Sequence, residues 1–200
     1  VRAMPLPPAI AFKLTVMREQ YPSLFAHSVR MMLVAVYLGI KSGWSERECM
    51  PLAAAALLHD MGALHMDPVW HDPANKISGV GRKQLLAHPV TAMLIIREQN
   101  IYPRSVEQAV LEHHESMDGS GYPRGLQGEQ ISRMGQILLT AEVVAAFFEK
   151  YADEAPAHGD LSMAGFPGGT DFAIRPVRTG AGQQGLGAPH PLAPWRLDVA

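Results

Sequence analysis

Apolar residues recur at helical spacing from about Leu24 to Leu38, with Phe25, Val29, Met32 and Val36 along the stripe. Lys41 then supplies a basic last turn and Gly43 a stop, so a buried helix is expected. Ser45 and Glu48 stand at the spacing of a capping box, but Pro51 moves the expected well-formed start of the next helix toward "PLAAAALLHD". That segment is apolar nearly all round and belongs in the core. "HPVTAMLIIREQ" reads as a helix opened by Pro89, and Ser105 with Gln108 is expected to cap another through "VEQAVLEHH". "ISRMGQILLTAEVVAAFFEKY" reads as the last. Between them lie "MDPVWHDPANKISGVG" and "MDGSGYPRGLQGEQ", turn-rich and without the alternation of a strand. The expected fold is an all-α bundle with two substantial loops.

From about Ala155 the pattern stops. Residues 155–200 are rich in glycine and proline, with no helical or strand period and few apolar clusters. Such a segment cannot bury enough surface to offset its ordering entropy, so a globular domain over 1–154 and a flexible, disordered tail are expected.

Composition narrows the picture. The chain has 200 residues, 48% of them apolar, and a formal net charge of −2, which suits one filled core and offers no broad basic field for duplex nucleic acid. The longest apolar run, "MMLVAVYLGI", is shorter than a membrane span and is flanked by Arg30 and Lys41; a packed helix without membrane insertion is expected. A single cysteine, Cys49, and no leader-like opening suit a reducing cytoplasm. The chain starts at Val1, which leaves room for an upstream module.

Six positions carry candidate chemistry: His27, His59, Asp60, His88, His113 and His114. A lone helical histidine is usually just a hydrogen-bonded core residue, and His65, His71, His158 and His190 are read that way. Here, however, five imidazoles and a carboxylate fall at the ends or inner faces of successive helices, where a bundle gathers metal ligands. This donor set suits iron, manganese, cobalt or zinc better than calcium or magnesium. It also exceeds what one tetrahedral ion needs. With Asp60 bridging through both oxygens, a dinuclear centre is the expected solution.

The ordered series "H…HD…HP…HHE…DGSGYP", from His27 to the helix containing Glu142, resembles the HD-GYP domain, a branch of the HD metal-dependent phosphohydrolases. The resemblance implies a helical bundle holding two or three metals, often iron or manganese, that hydrolyses cyclic di-GMP to pGpG or GMP. By position, His27, His59, Asp60, His88, His113 and His114 match that family's metal ligands. Glu142 stands where an aspartate is usual, with the same charge and one more methylene. Ser23 stands where members with a third metal carry a glutamate, so two metals are expected. Ala63 replaces a lysine of the family's "HDxGK", removing a cation near the substrate phosphate. Ala145 and Phe147 lie where the family holds nucleotide through an acidic residue and an Arg-Pro-Tyr stretch.

The implied reaction is in-line attack on a phosphodiester by water activated between the ions, oriented by Asp60. In the loop, Gly119 and Gly121 permit positive φ or close approach, and Pro123 fixes the chain after Tyr122. Tyr122 is read as a plug against the bundle rather than a base-stacking platform. Arg124 is either a phosphate contact or a solvated arginine, and Lys83 a helix-surface lysine. The resemblance also implies docking to diguanylate cyclases or other signalling proteins through the loop. Because of Ala63, Glu142 and the altered last helix, a catalytically weakened module responding to cyclic dinucleotides or docking proteins is the alternative. An HD phosphohydrolase acting on another nucleotide is the third reading.

Overall fold

The computed structural model describes residues 4–71 and 75–151. Six helices form the bundle: α1 (Pro8–Gln20), α2 (Pro22–Lys41), α3 (Glu46–Leu58), α4 (Gly79–Glu98), α5 (Arg104–Glu112) and α6 (Arg133–Tyr151). Short 3₁₀ turns occupy Met61–His65, Pro68–His71 and Gly128–Gln130, and no strand occurs among the described residues, so the all-α expectation holds. The proposed boundary at 154/155 and the tail lie outside the described residues.

α2 packs on α1, α3 and α6, while α5 packs on α3, α4 and α6. Their inner faces build one core from Met31 and Ala35 of α2, Leu52, Ala55 and Leu58 of α3, Ile96 of α4, Val106 and Val110 of α5, and Leu138 and Ala141 of α6. α2 is long and apolar enough to cross a membrane by length and composition alone. Here it packs as a bundle helix, as the sequence suggested, and ends at Lys41, with Gly43 (φ 79°) turning the chain two residues on.

Several boundaries differ from the expectations. α1 was not anticipated, although Ile10, Leu14 and Met17 recur at helical spacing and are all buried. α3 begins five residues before Pro51, at the capping box itself: Ser45 N–H donates to Glu48 Oε2 at 2.8 Å. α4 begins at Gly79, ten residues before Pro89, which therefore sits inside the helix rather than opening it. α5 has Pro103, not Ser105, before its first turn, and it ends at Glu112, leaving His113 and His114 in the turn that follows.

Candidate metal centre

Helix ends and one helix interior deliver the imidazoles. His59 follows α3, His113 follows α5, and His88 lies within α4. The last carbonyls of a helix have no intrahelical partner. His59 Nδ1 lies 2.8 Å from the Ala56 oxygen and His113 Nδ1 lies 2.6 Å from that of Val110, each in the last turn of its helix. At His88 the same contact forms in mid-helix, 2.5 Å to the Leu85 oxygen. Pro89 explains it: the residue at 89 would normally donate its N–H to Leu85, and proline has none. A carbonyl can only accept, so in all three rings Nδ1 carries the proton and Nε2 presents its lone pair when the ring is neutral.

Those three Nε2 atoms converge on Asp60. Its Oδ1 lies 3.1 Å from His88 Nε2 and 3.6 Å from His113 Nε2, and its Oδ2 lies 3.2 Å from His59 Nε2. His88 and His113 present their Nε2 atoms to each other at 3.2 Å. His59 Nε2 is buried and, despite its nearness to Asp60, makes no hydrogen bond of adequate geometry. On the far side, Glu142 Oε2 of α6 lies 3.1 Å from His27 Nε2 of α2 and 3.8 Å from His59 Nε2. Asp60 is reached by a close approach of backbones: a Cβ on Gly62 would sit 2.0 Å from the His88 carbonyl oxygen. Only glycine lets the turn after Asp60 lie against α4.

The donors divide into two groups that share Asp60, one with His88, His113 and His114, the other with His27 and His59; within each, candidate ligand atoms lie within 4.8 Å of one another. Burial pushes the Asp60 carboxyl up, but His59, His113 and His88 around it hold it well below the usual carboxylate range. Burial likewise raises Glu142, and His27 and His59 outweigh it, so the net direction is down. Burial drives His113 down, and His114 further still, helped by the neighbouring imidazoles. For His59, burial pulls down but Asp60 and Glu142 prevail, and the net direction is up. Ionised carboxylates beside inward-facing imidazole lone pairs, with one buried nitrogen lacking a partner, fit a divalent cation pair. Nδ1–carbonyl bonds of this kind orient imidazoles whose Nε2 is a candidate metal ligand.

The glycine-rich loop lies against this cluster. Tyr122 stacks on His114 with ring centroids 4.8 Å apart and planes 23° apart, and its backbone N–H donates to the His114 carbonyl at 2.9 Å. Burial, then Asp60 and Glu142, drive its phenol pKa up. The Tyr122–Pro123 peptide is cis. Gly119 has φ of 84°, and a Cβ on Gly121 would lie 2.3 Å from the Glu115 and Ser116 backbone.

Two residues that sequence reasoning left without a role hold the loop down. Glu115, buried, accepts the backbone N–H groups of Arg124 and Leu126, both at 2.8 Å. Glu112, fully buried, accepts Arg124 Nη2 at 2.7 Å, Gln108 Nε2 at 3.0 Å and the Ser132 N–H at 2.9 Å. The Arg124 guanidinium is thus paired to a buried acid rather than solvated alone. Ala63 is buried beside Met66 and Leu85, with Leu24 and Trp70 packed on them. Ala145 belongs to the core, while Phe147 and Lys83 are exposed. His65 faces Lys13 Nζ at 3.1 Å and His71 packs at a tilt against Tyr21; His158 and His190 lie outside the described residues.

An HD domain family model matches residues 15–163, most of the chain. The chain belongs to the HD domain family. Within it, this HD domain is 28% identical over 143 residues to the 3′3′-cGAMP-specific phosphodiesterase 3 of Vibrio cholerae, covering 72% of this chain and 31% of that protein. It is 36% identical over 119 residues to the cyclic di-GMP phosphodiesterase response regulator RpfG of Xanthomonas campestris, covering 58% and 31%. To the cyclic di-GMP phosphodiesterase PdeB of Borreliella burgdorferi it is 29% identical over 120 residues, covering 60% and 31%. The chain therefore spans about a third of the length of these relatives. Together with the "HHE" and "DGSGYP" motifs, they mark it as an HD-GYP-like member of the HD phosphohydrolases.

Proposed function

We propose that this HD domain is a metal-dependent phosphodiesterase acting on a 3′,3′-linked cyclic dinucleotide, with cyclic di-GMP as substrate and pGpG or GMP as product. The observation that carries the reading is the convergence of three Nε2 lone pairs on the two oxygens of one carboxylate. In this reading His88, His113 and His114 would hold one divalent ion, iron or manganese, and His27, His59 and Glu142 a second, with Asp60 common to both groups. When bound, such a pair supplies Lewis acidity toward phosphoryl oxygens and a water acidic enough to attack near neutral pH. The chain's own part is to hold the ligands. Asp60 keeps both groups in register, and the proton on each Nδ1 stays with its carbonyl, which keeps each Nε2 available. Tyr122, stacked on His114, closes one wall and excludes water from that side. A cytoplasmic setting and docking of a diguanylate cyclase or another signalling protein at the loop belong to the same proposal.

The relatives' names divide between cyclic di-GMP and 3′3′-cGAMP, so a side-by-side turnover assay of the two decides the substrate. A second reading, a weakened module that binds the dinucleotide or a protein without hydrolysing it, is favoured by Ala63, which stands where the HD-GYP pattern carries a lysine. Anaerobic purification, metal quantification and turnover beside Asp60→Ala test both. Two ions with Asp60-dependent hydrolysis support the enzyme; two ions without hydrolysis support the module.

A further inference from the structure

A groove of about 600 Å³ runs along the outer side of the α4–α5 pair. Its α5 wall is Arg104, Glu107, Gln108 and Leu111, spaced as one helix face, while Val106, Ala109, Val110 and His113 turn to the core and to Asp60. The opposite wall is Met93 and Arg97 of α4, with Asn100 just past the end of that helix. Arg97 and Arg104 each lie nine residues from the nearest candidate ligand on the same helix pair, His88 and His113, or about 13 Å along the axis. The groove and the histidine cluster therefore lie on opposite faces of α5, with Arg97 and Arg104 at the end away from the histidines and Leu111 and Arg124 at the end near His113.

Three guanidiniums line this groove. Arg97 gives its Nε to Glu107 at 2.7 Å, and Arg124, reaching in from the glycine-rich loop, gives Nη2 to Glu112 at 2.7 Å. Each keeps further N–H donors, since a guanidinium carries five. Arg104 has no ion pair among the described residues and is exposed. Counting Glu107 and the buried Glu112 against the three arginines leaves one positive charge in excess and many planar donors. Planar N–H forks match phosphate oxygens. The Gln108 and Asn100 amides and the apolar Met93 and Leu111 offer contacts to whatever the phosphate is attached to, and the volume is that of a small-ligand site.

We propose that this groove binds a phosphate-bearing small molecule, at a site separate from the histidine cluster. The proposal does not depend on which phosphodiester the cluster cleaves. Calorimetric titration of the metal-loaded chain with inorganic phosphate, and separately with 5′-GMP, tests it. The expected result is a saturable isotherm that persists in Asp60→Asn and weakens by about tenfold or more in both Arg104→Ala and Arg97→Ala, each losing charge-assisted hydrogen bonds. Both arginines are exposed, so these variants fold, and they decide the question even if Asp60→Asn does not. Tighter binding of 5′-GMP than of phosphate would identify a phosphate ester as the ligand; equal affinities would identify the free ion. No saturable binding, or an affinity unchanged by both arginine substitutions, would overturn the proposal.

Discussion

Three buried acids, Asp60, Glu112 and Glu115, and the partly buried Glu142 fall into two regions that differ in what faces them. Glu112 and Glu115, beneath the glycine-rich loop, are met by N–H donors: an arginine, an amide and three backbone groups. Asp60 and Glu142, inside the bundle, are met by imidazole nitrogens, three of which have their proton committed elsewhere. The first region is complete as it stands. The second gathers acceptors against acceptors and makes sense when a cation lies between them. Carboxylates of one bundle are scaffold in one place and candidate ligands in the other. The partner, not the acid, sets the role.

The largest effect on the scaffold side is expected from Glu112→Ala. It strands the Arg124 guanidinium, the Gln108 amide and the Ser132 N–H at once, and should cost about 3 kcal/mol in urea unfolding, near the low end for a broken buried pair because Arg124 is half-exposed. A cost below about 1 kcal/mol would mean that the loop is held by something other than this acid.

Pro89→Ala sharpens the contrast from the other side. Alanine restores an N–H to compete with His88 Nδ1 for the Leu85 carbonyl. Metal affinity should fall by about 10- to 100-fold, the usual penalty for losing an orienting partner, while the unfolding midpoint stays level or rises. Unchanged metal affinity would remove the proposed role of Pro89.

The smallest effect is expected at Asp118, at the loop surface. Donors from Ser116 and Ser120 hold its carboxyl down at about 2, below its ordinary 3.8. A depressed carboxyl contributes stability above its unfolded value and loses it as pH falls through the folded one. The Ser120 amide, which donates to Asp118 Oδ1 at 2.9 Å, should therefore report a transition near pH 2 by NMR. A midpoint near 4 would show that this turn does not persist in solution.

Much of this architecture was legible in the residue pattern, and the failures have physical causes. About half of the cluster could be anticipated because His59, Asp60, His113 and His114 fall where α3 and α5 end, and helix ends follow from short-range patterning. Pro89 misled because proline is commonest in a first helical turn. Its role depends on the ring of His88 taking over the vacated Leu85 carbonyl, which no propensity encodes. α1 was overlooked although Ile10, Leu14 and Met17 were there to be read. Glu112 and Arg124 are twelve residues apart across an irregular loop, and nothing local to either announces the pairing. The acids that build the loop were hidden for the same reason: their partners are chosen by the fold.

The central claim is that Asp60 joins two metal subsites that together cleave a cyclic dinucleotide. The most direct test is metal content and cyclic di-GMP turnover measured on one anaerobic preparation of the chain and of Asp60→Ala. The account predicts two ions per chain and measurable hydrolysis in the first, with fewer than one ion and a loss of turnover of about 10³-fold or more in the second. Two ions and undiminished hydrolysis in Asp60→Ala would contradict it.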